Sequence, residues 1–319
     1  MFKEICITPQ VFDTENISNS NWKDLKNLLE ALSNSGFIVG LNNKEWSRTV
    51  LNNVDHLPTK IRERFFGVMS LLKDRDRIVG HPKQGQTDEE NEESWLKVAY
   101  QLDAICPFYK IIATQNYNDQ TLSVDQLAEM NISDAFGITG SHHYVQSADN
   151  LRYVLQPFLS YSKKLTIIDP YFNLNSHRYQ QSLRVIAQEF RSRRGERESG
   201  KIVIHCRWFE NDRSKPDTQG YTDRWQAFLQ KFKSDSPHEI EINGWEVLEN
   251  SQKFHDRYLI TNQGGLVSAA GTDKDDLQQS EWSMKDFNER NEILKQYKEN
   301  SSPFRLKCCV KVDSINIFN

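Results

Sequence analysis

Short β-branched and aliphatic runs alternate with amphipathic helical stretches along this chain. That alternation narrows the choice of fold more than any single motif does. In the second half, Leu165–Asp169 reads as a buried strand. A helix follows over Tyr179–Phe190, with Leu183, Ile186, Ala187 and Phe190 at helical spacing. Lys201–Phe209 is a strand, Tyr221–Phe232 a helix with Trp225, Phe228, Leu229 and Phe232 inward, and Glu239–Leu248 a third strand, with two more behind it. In the first half, Ile5–Phe12, Phe37–Leu41 and Tyr109–Thr114 read as strands. Between them lie a helix with Trp22, Leu25, Leu28, Leu29 and Leu32 on one face, another after Pro58 carrying Ile61, Phe65, Met69 and Leu72 inward, and a third carrying Trp95, Val98, Ala99, Leu102 and Ile105. The expected fold is α/β. Residues 1–150 form an N-terminal three-layer Rossmann-like domain, and residues 151–319 form a second α/β domain entered through a helix near Asn150–Ser162.

Composition sets outer limits. Seven Trp, eleven Tyr and seventeen Phe in 319 residues argue against disorder although 26% of residues are charged. A net charge of −4 does not mark an overall basic nucleic-acid binder, and a local basic groove would suffice for one. Five cysteines without a CxxC pair point to reduced, buried thiols rather than a secreted disulfide framework. The N-terminus does not read as a signal peptide and no apolar run is long enough to span a membrane, so the expected location is the cytoplasm.

The chemistry concentrates in residues 252–274, QKFHDRYLITNQGGLVSAAGTDK. His255 and Arg257 are two apart, so on an extended chain they share a face. An imidazole beside a guanidinium is a pairing suited to gripping a phosphate and attacking it. Asn262, Gly271, Thr272 and Lys274 follow, and Asp169 ends the buried strand, where it either orients a site group or caps the next helix. Elsewhere, His142-His143 lacks a basic residue two positions on, and Arg191, Arg193, Arg194 and Arg197 form a basic loop that is either a solvated surface or a backbone clamp. In the first half, Asp13, Glu92 or Glu93 and the strand ending Ile111-Ile112-Ala113-Thr114 together resemble PIN-like ribonucleases, which hold a divalent ion on converging acids. Gln115 and Asn116 stand where a further Asp is expected, so the resemblance implies a degenerate PIN-like scaffold as the variant of the first domain.

The 252–274 stretch resembles the H-x-K-(x4)-D signature of the phospholipase D superfamily and its following G-S/T-x-N element. His255 falls on the nucleophilic histidine, Arg257 on the lysine, Asn262 on the aspartate, Gly271-Thr272 on the Gly-Ser/Thr pair and Lys274 on the asparagine. Arg257, Asn262 and Lys274 are departures; the last two remove a carboxylate and replace an amide by a charge. Residues 164–287 are more narrowly similar to the phospholipase-D-like C-terminal domain of MIT-domain proteins, through Asp169-Pro170-Tyr171, the Leu-rich helix, His255-Asp256-Arg257, the Asn262-x-Gly264 turn and Gly271-x-Asp273. No MIT-type bundle is apparent ahead of them.

The resemblance implies a metal-independent phosphodiesterase or nuclease that uses no cofactor. His255, Arg257, Asn262 and Thr272 would be catalytic, with Lys274, Asp169 and Glu281 around the phosphate. With one histidine motif per chain, the active unit would be a homodimer acting on nucleic acid, in the manner of microbial phage-defence effectors, within a larger defence complex if one assembles. The alternative is a non-catalytic module that recognises phosphate on nucleic acid, nucleotide or lipid.

Overall fold

The computed structural model describes residues 2–17, 19–81, 91–129, 131–132, 134, 141–191, 199–208, 218–248, 254–298 and 302–318. The chain divides into two compact units, Met1–Ile138 and Thr139–Asn319. The division falls before the expected 150/151 boundary because a strand at 142–146 already belongs to the second sheet.

The first unit runs β1 (Lys3–Ile7), α1 (Asn19–Ser35), β2 (Gly36–Gly40), α2 (Asn43–Asp55), α3 (Thr59–Asp74), β3 (Ile78–Gly80), α4 (Glu92–Asp103), β4 (Lys110–Ala113) and β5 (Thr121–Ser123). All neighbours pair in parallel, in the order β3-β2-β1-β4-β5. The expected first strand is cut short. Pro9 cannot donate to a ladder, and Pro9–Phe12 turns instead into a 3-10 helix. The leucine stripe of α1 is fully buried, as its spacing predicts, and joins Trp46, Phe65 and Trp95 in one core. Each such side chain contributes roughly 1.5–3 kcal/mol on burial. Strand order reverses beside β1, which makes the C-terminal ends of β1 and β4 the natural crevice of this sheet.

The second unit comprises β6 (His142–Gln146), α5 (Ala148–Leu159), β7 (Lys164–Ile168), α6 (His177–Arg191), β8 (Lys201–Arg207), α7 (Thr218–Phe232), β9 (Glu239–Val247), β10 (Tyr258–Thr261), β11 (Gly265–Ser268), β12 (Asp275–Lys285), α8 (Phe287–Lys295), β13 (Phe304–Lys311) and β14 (Ile315–Ile317). Among the described residues its nine strands lie in the order β14-β13-β9-β8-β7-β10-β11-β12-β6. β7, β8 and β9 are parallel, joined by crossovers long enough to carry α6 and α7. β10 pairs with β7 antiparallel, setting Tyr258 beside Ile168 and Thr261 beside Leu165. β7 is therefore one seam between parallel and antiparallel parts of the sheet, and β9, which pairs antiparallel with β13, is the other among the described residues.

One face near this seam carries an aromatic layer of His205, Trp245, Phe254, Tyr297 and Phe304 against Ile168 and Ile260. His205 is buried there. The Trp245 indole Nε1 donates to its Nδ1 at 2.8 Å, which leaves the proton on Nε2. Burial pushes the imidazole down to about 3, so it is neutral.

Candidate functional site

The last residue of β7 is followed by Asp169, which has no exposed surface. Its Oδ1 accepts the Tyr171 backbone N–H at 3.0 Å. Its Oδ2 accepts the backbone N–H and the hydroxyl of Thr272, each at 3.4 Å. The Arg257 Nε lies 3.9 Å from Oδ1, an ion pair too long for a hydrogen bond. Burial raises Asp169 to about 6, against the opposing pull of the Tyr171 N–H, the Arg257 charge and the Thr272 N–H.

Arg257 immediately precedes β10, and the ladder reaches it, since Ser268 N donates to its carbonyl at 2.9 Å. Strand alternation turns its side chain away from the aromatic layer that Tyr258 joins and toward Asp169. The guanidinium stacks 5.0 Å above the Tyr171 ring and donates through Nη1 to the Ala269 carbonyl. Its other N–H groups have no hydrogen-bond acceptor among the described residues, and the side chain is 24% exposed.

The loop after β11 closes around this pair. Gly271 has φ +96°, where L side chains are strained, and a Cβ there would meet Asp169 Oδ2 at 3.1 Å, Arg257 Cδ at 3.1 Å and Arg257 Nε at 3.3 Å. The Gly271 carbonyl accepts from Gln146 Nε2 at 2.8 Å and Ser268 Oγ at 2.7 Å, and Ser280 Oγ accepts the Ala270 N–H at 3.2 Å. From α6, Tyr179 brings a buried phenol whose ionisation is suppressed by burial and then by Asp169 and Asp273. Arg178 pairs with Asp275 at 2.8 Å and Asp273 at 3.8 Å. Asp273 is raised, first by burial.

The residues singled out in the sequence divide into two sets. Asp169, Arg257 and Thr272 converge. Thr272 is fully buried and its hydroxyl is committed to Asp169, so it supports the site rather than reaching a ligand. His255 lies just ahead of Arg257, exposed and without a hydrogen bond or ion pair among the described residues. Lys274 pairs with Asp276 at 3.2 Å.

Asn262 is elsewhere. β10 is four residues long, so Asn262 falls in the hairpin turn at its far end, on the order of 15 Å of extended chain from Arg257. There its Oδ1 accepts the Lys163 N–H and its carbonyl accepts from Arg290. It fastens the turn and cannot join His255. Glu281 is exposed in β12 opposite His143, and its parity sets its side chain on the face away from buried Ser280 and Trp282. Only its backbone touches the site, accepting from Ala269 N at 2.9 Å. His142 and His143 lie on the edge strand, three strand spacings or roughly 14 Å from β10. Arg193, Arg194 and Arg197 lie outside the described residues, as does the side chain of Arg191.

Sequence reasoning missed Tyr171, Arg178, Tyr179, Gln146 and Asp273 as site residues. Only Tyr171 and Asp273 carried a signal, as neighbours of Asp169 and Thr272. At the first unit's crevice the chain's own groups hold Glu92. The Glu92 carboxylate accepts from Thr8 Oγ1 at 2.7 Å, Thr114 N at 2.8 Å, the Thr114 hydroxyl and the Tyr117 hydroxyl at 3.0 Å. Asp13 is bound to Thr14 instead. Among the described residues no three His, Cys, Asp or Glu side chains stand where they could hold a metal ion, so the PIN-like acid set is not assembled there.

No protein-family model and no curated protein matches the chain. A crystal structure of Drosophila Piwi is similar over 89% of this chain and 41% of that chain, at 8% identity and a TM-score of 0.20, which is too slight to bear on fold or function. Among the described residues no helix is long and apolar enough to cross a membrane.

Proposed function

We propose that the second unit is a phosphate-recognising module whose contact with ligand is made by Arg257, with His255 beside it. The observation that carries this reading is the state of the guanidinium. It is anchored through one N–H, the Tyr171 ring and a long ion pair, while its remaining N–H groups have no acceptor among the described residues. A partly exposed planar fork with unused donors suits phosphate oxygens. The resemblance to phospholipase-D-like domains points the same way. Thr272 turned inward and Asn262 at the far end of β10 favour recognition over hydrolysis. Nucleic acid is the proposed source of the phosphate.

The test is binding of a fluorescent single-stranded oligonucleotide, followed at two salt concentrations with EDTA present. Arg257→Ala should weaken binding at least tenfold, in line with about 1.5–3 kcal/mol for a charged hydrogen-bonding contact, and no cleavage should accompany it. Unchanged affinity in Arg257→Ala would overturn the reading.

One observation favours a nuclease as the second reading. The His255 imidazole is exposed and uncommitted among the described residues, so two chains related by a twofold axis could present a pair of histidines. Oligonucleotide cleavage that survives EDTA, disappears in His255→Ala and accompanies a dimer in solution would select it.

A further inference from the structure

Among the described residues four segments face the Asp169 carboxyl, and none gives it a charged hydrogen-bond donor. From the chain after β7, Tyr171 supplies a backbone N–H. From the loop between β11 and β12, Thr272 supplies two donors at 3.4 Å, and Asp273 adds like charge. From α6 comes the buried phenol of Tyr179, with Arg178 directed instead to Asp273 and Asp275. From the segment before β10 comes Arg257, at 3.9 Å. A fully buried carboxylate with one ordinary backbone hydrogen bond, two long contacts from Thr272 and a cation at 3.9 Å is weakly stabilised in its charged form.

The same carboxylate is the counter-ion of the residue proposed to meet phosphate. We propose that Asp169 and Arg257 form a proton-coupled anion latch: ionised Asp169 neutralises the guanidinium, and uptake of one proton by Asp169 releases that charge to an incoming anion. This rests on the phosphate-recognition reading above. A proton from water adds to one carboxyl oxygen and no bond between heavy atoms changes. The pair passes from net zero to net +1, and the bound anion replaces Asp169 as the partner of Arg257. Anion binding and proton uptake then favour each other reciprocally. The Gly271 position, where a side chain would strike both Asp169 Oδ2 and Arg257 Nε, keeps the two groups close enough for this coupling.

The magnitude follows from the fraction of protein in the competent, protonated form. With Asp169 near 6, that fraction falls about thirtyfold between pH of about 5 and about 7.5.

The experiment uses inorganic sulfate, which keeps its charge across this range, and NMR titration of the full chain. A His255→Ala background removes the neighbouring imidazole, so that the carboxyl of Asp169 is the group under test. The expected result is roughly thirtyfold weaker sulfate binding at the higher pH in His255→Ala. His255→Ala/Asp169→Asn should bind at both pH values as tightly as the single variant does at the lower one. A flat profile in His255→Ala, with sulfate bound, overturns the latch and leaves phosphate recognition standing. A pH dependence that persists with Asn at 169, as titration of Asp273 would produce, also overturns it. Uniformly weak binding in the double variant does so too, since Asp169 would then position Arg257 rather than neutralise it. No sulfate binding by the parent chain at any pH overturns both proposals. If the double variant does not fold, the His255→Ala profile alone decides.

Discussion

Replacing Gly271 by Ala tests the geometry on which the site is built. At φ +96° an L residue lies beyond the ordinary left-handed region, at a cost of about 1–2 kcal/mol. The new methyl would stand 3.1 Å from Asp169 Oδ2 and 3.1 Å from Arg257 Cδ. Arg257 can swing away at the expense of its ring contact, but Asp169 is enclosed, and overpacking of this kind adds about 1–3 kcal/mol. The expected destabilisation is therefore about 3 kcal/mol. Gly67→Ala is the matched control: Gly67 is exposed inside α3 with nothing within 4 Å of a new Cβ. There the same chemical change should stabilise by up to about 1 kcal/mol through helix propensity. Urea unfolding followed by tryptophan fluorescence and far-UV circular dichroism measures both, with a constant m-value required for the comparison. The two units are fitted as separate transitions where the curves divide. Gly271→Ala within about 0.5 kcal/mol of the parent would refute the close-approach argument, that being the spread of an ordinary surface substitution.

Asp169 should also make stability depend on pH. Its folded value near 6 lies above the ordinary 3.8, so the folded state holds a proton that the unfolded chain has lost. Stability is then fully present below about 3.8 and falls as pH rises through 6, by roughly 3 kcal/mol in all. Asp169→Asn should remove that decline, and chemical denaturation at several pH values measures it. His205→Leu leaves the Trp245 N–H without its acceptor and should destabilise by about 1–3 kcal/mol, whereas His205→Gln, which can still accept, should lose less; thermal melts separate the two. In the first unit, Glu92→Ala frees two threonines and a tyrosine and detaches the start of α4 from β1 and β4. A loss of about 2–3 kcal/mol is expected, read from urea unfolding of the first unit, and Glu92→Gln should recover part of it.

Most helices were legible because their apolar stripes are long, but α2 was not read, nor was α8, which buries none of its residues. Leu25, Leu28, Leu29 and Leu32 lie fully buried as their spacing predicts. The strands β7, β8 and β9 were legible as apolar runs between those helices. β3 and β5 are only three residues long and too short for any period to register, while exposed residues interrupt β6 and β12. In the site, Arg257 and Thr272 were readable from motif spacing, and Asp169 from its place at a strand end. Spacing misled for Asn262 because it counts residues along the chain, whereas the four-residue β10 carries that residue to the opposite end of the sheet. It misled for Glu281 because parity, not proximity, decides which face a strand residue serves. Arg178 and Tyr179 gave no signal, since nothing local shows where the start of α6 will lie relative to a loop about ninety residues later.

The seam at β7 has a further consequence, for assembly of the fold. A one-residue slip of β10 against β7 would turn Arg257 onto the face of His205, Trp245 and Tyr297 and turn Tyr258 toward Asp169. The slipped pairing would sink a guanidinium into an aromatic layer and leave Asp169 buried with no cation, two penalties incurred together. The pair at the candidate site therefore also proofreads the strand alignment, and the chain cannot misregister there without exposing the error as lost stability.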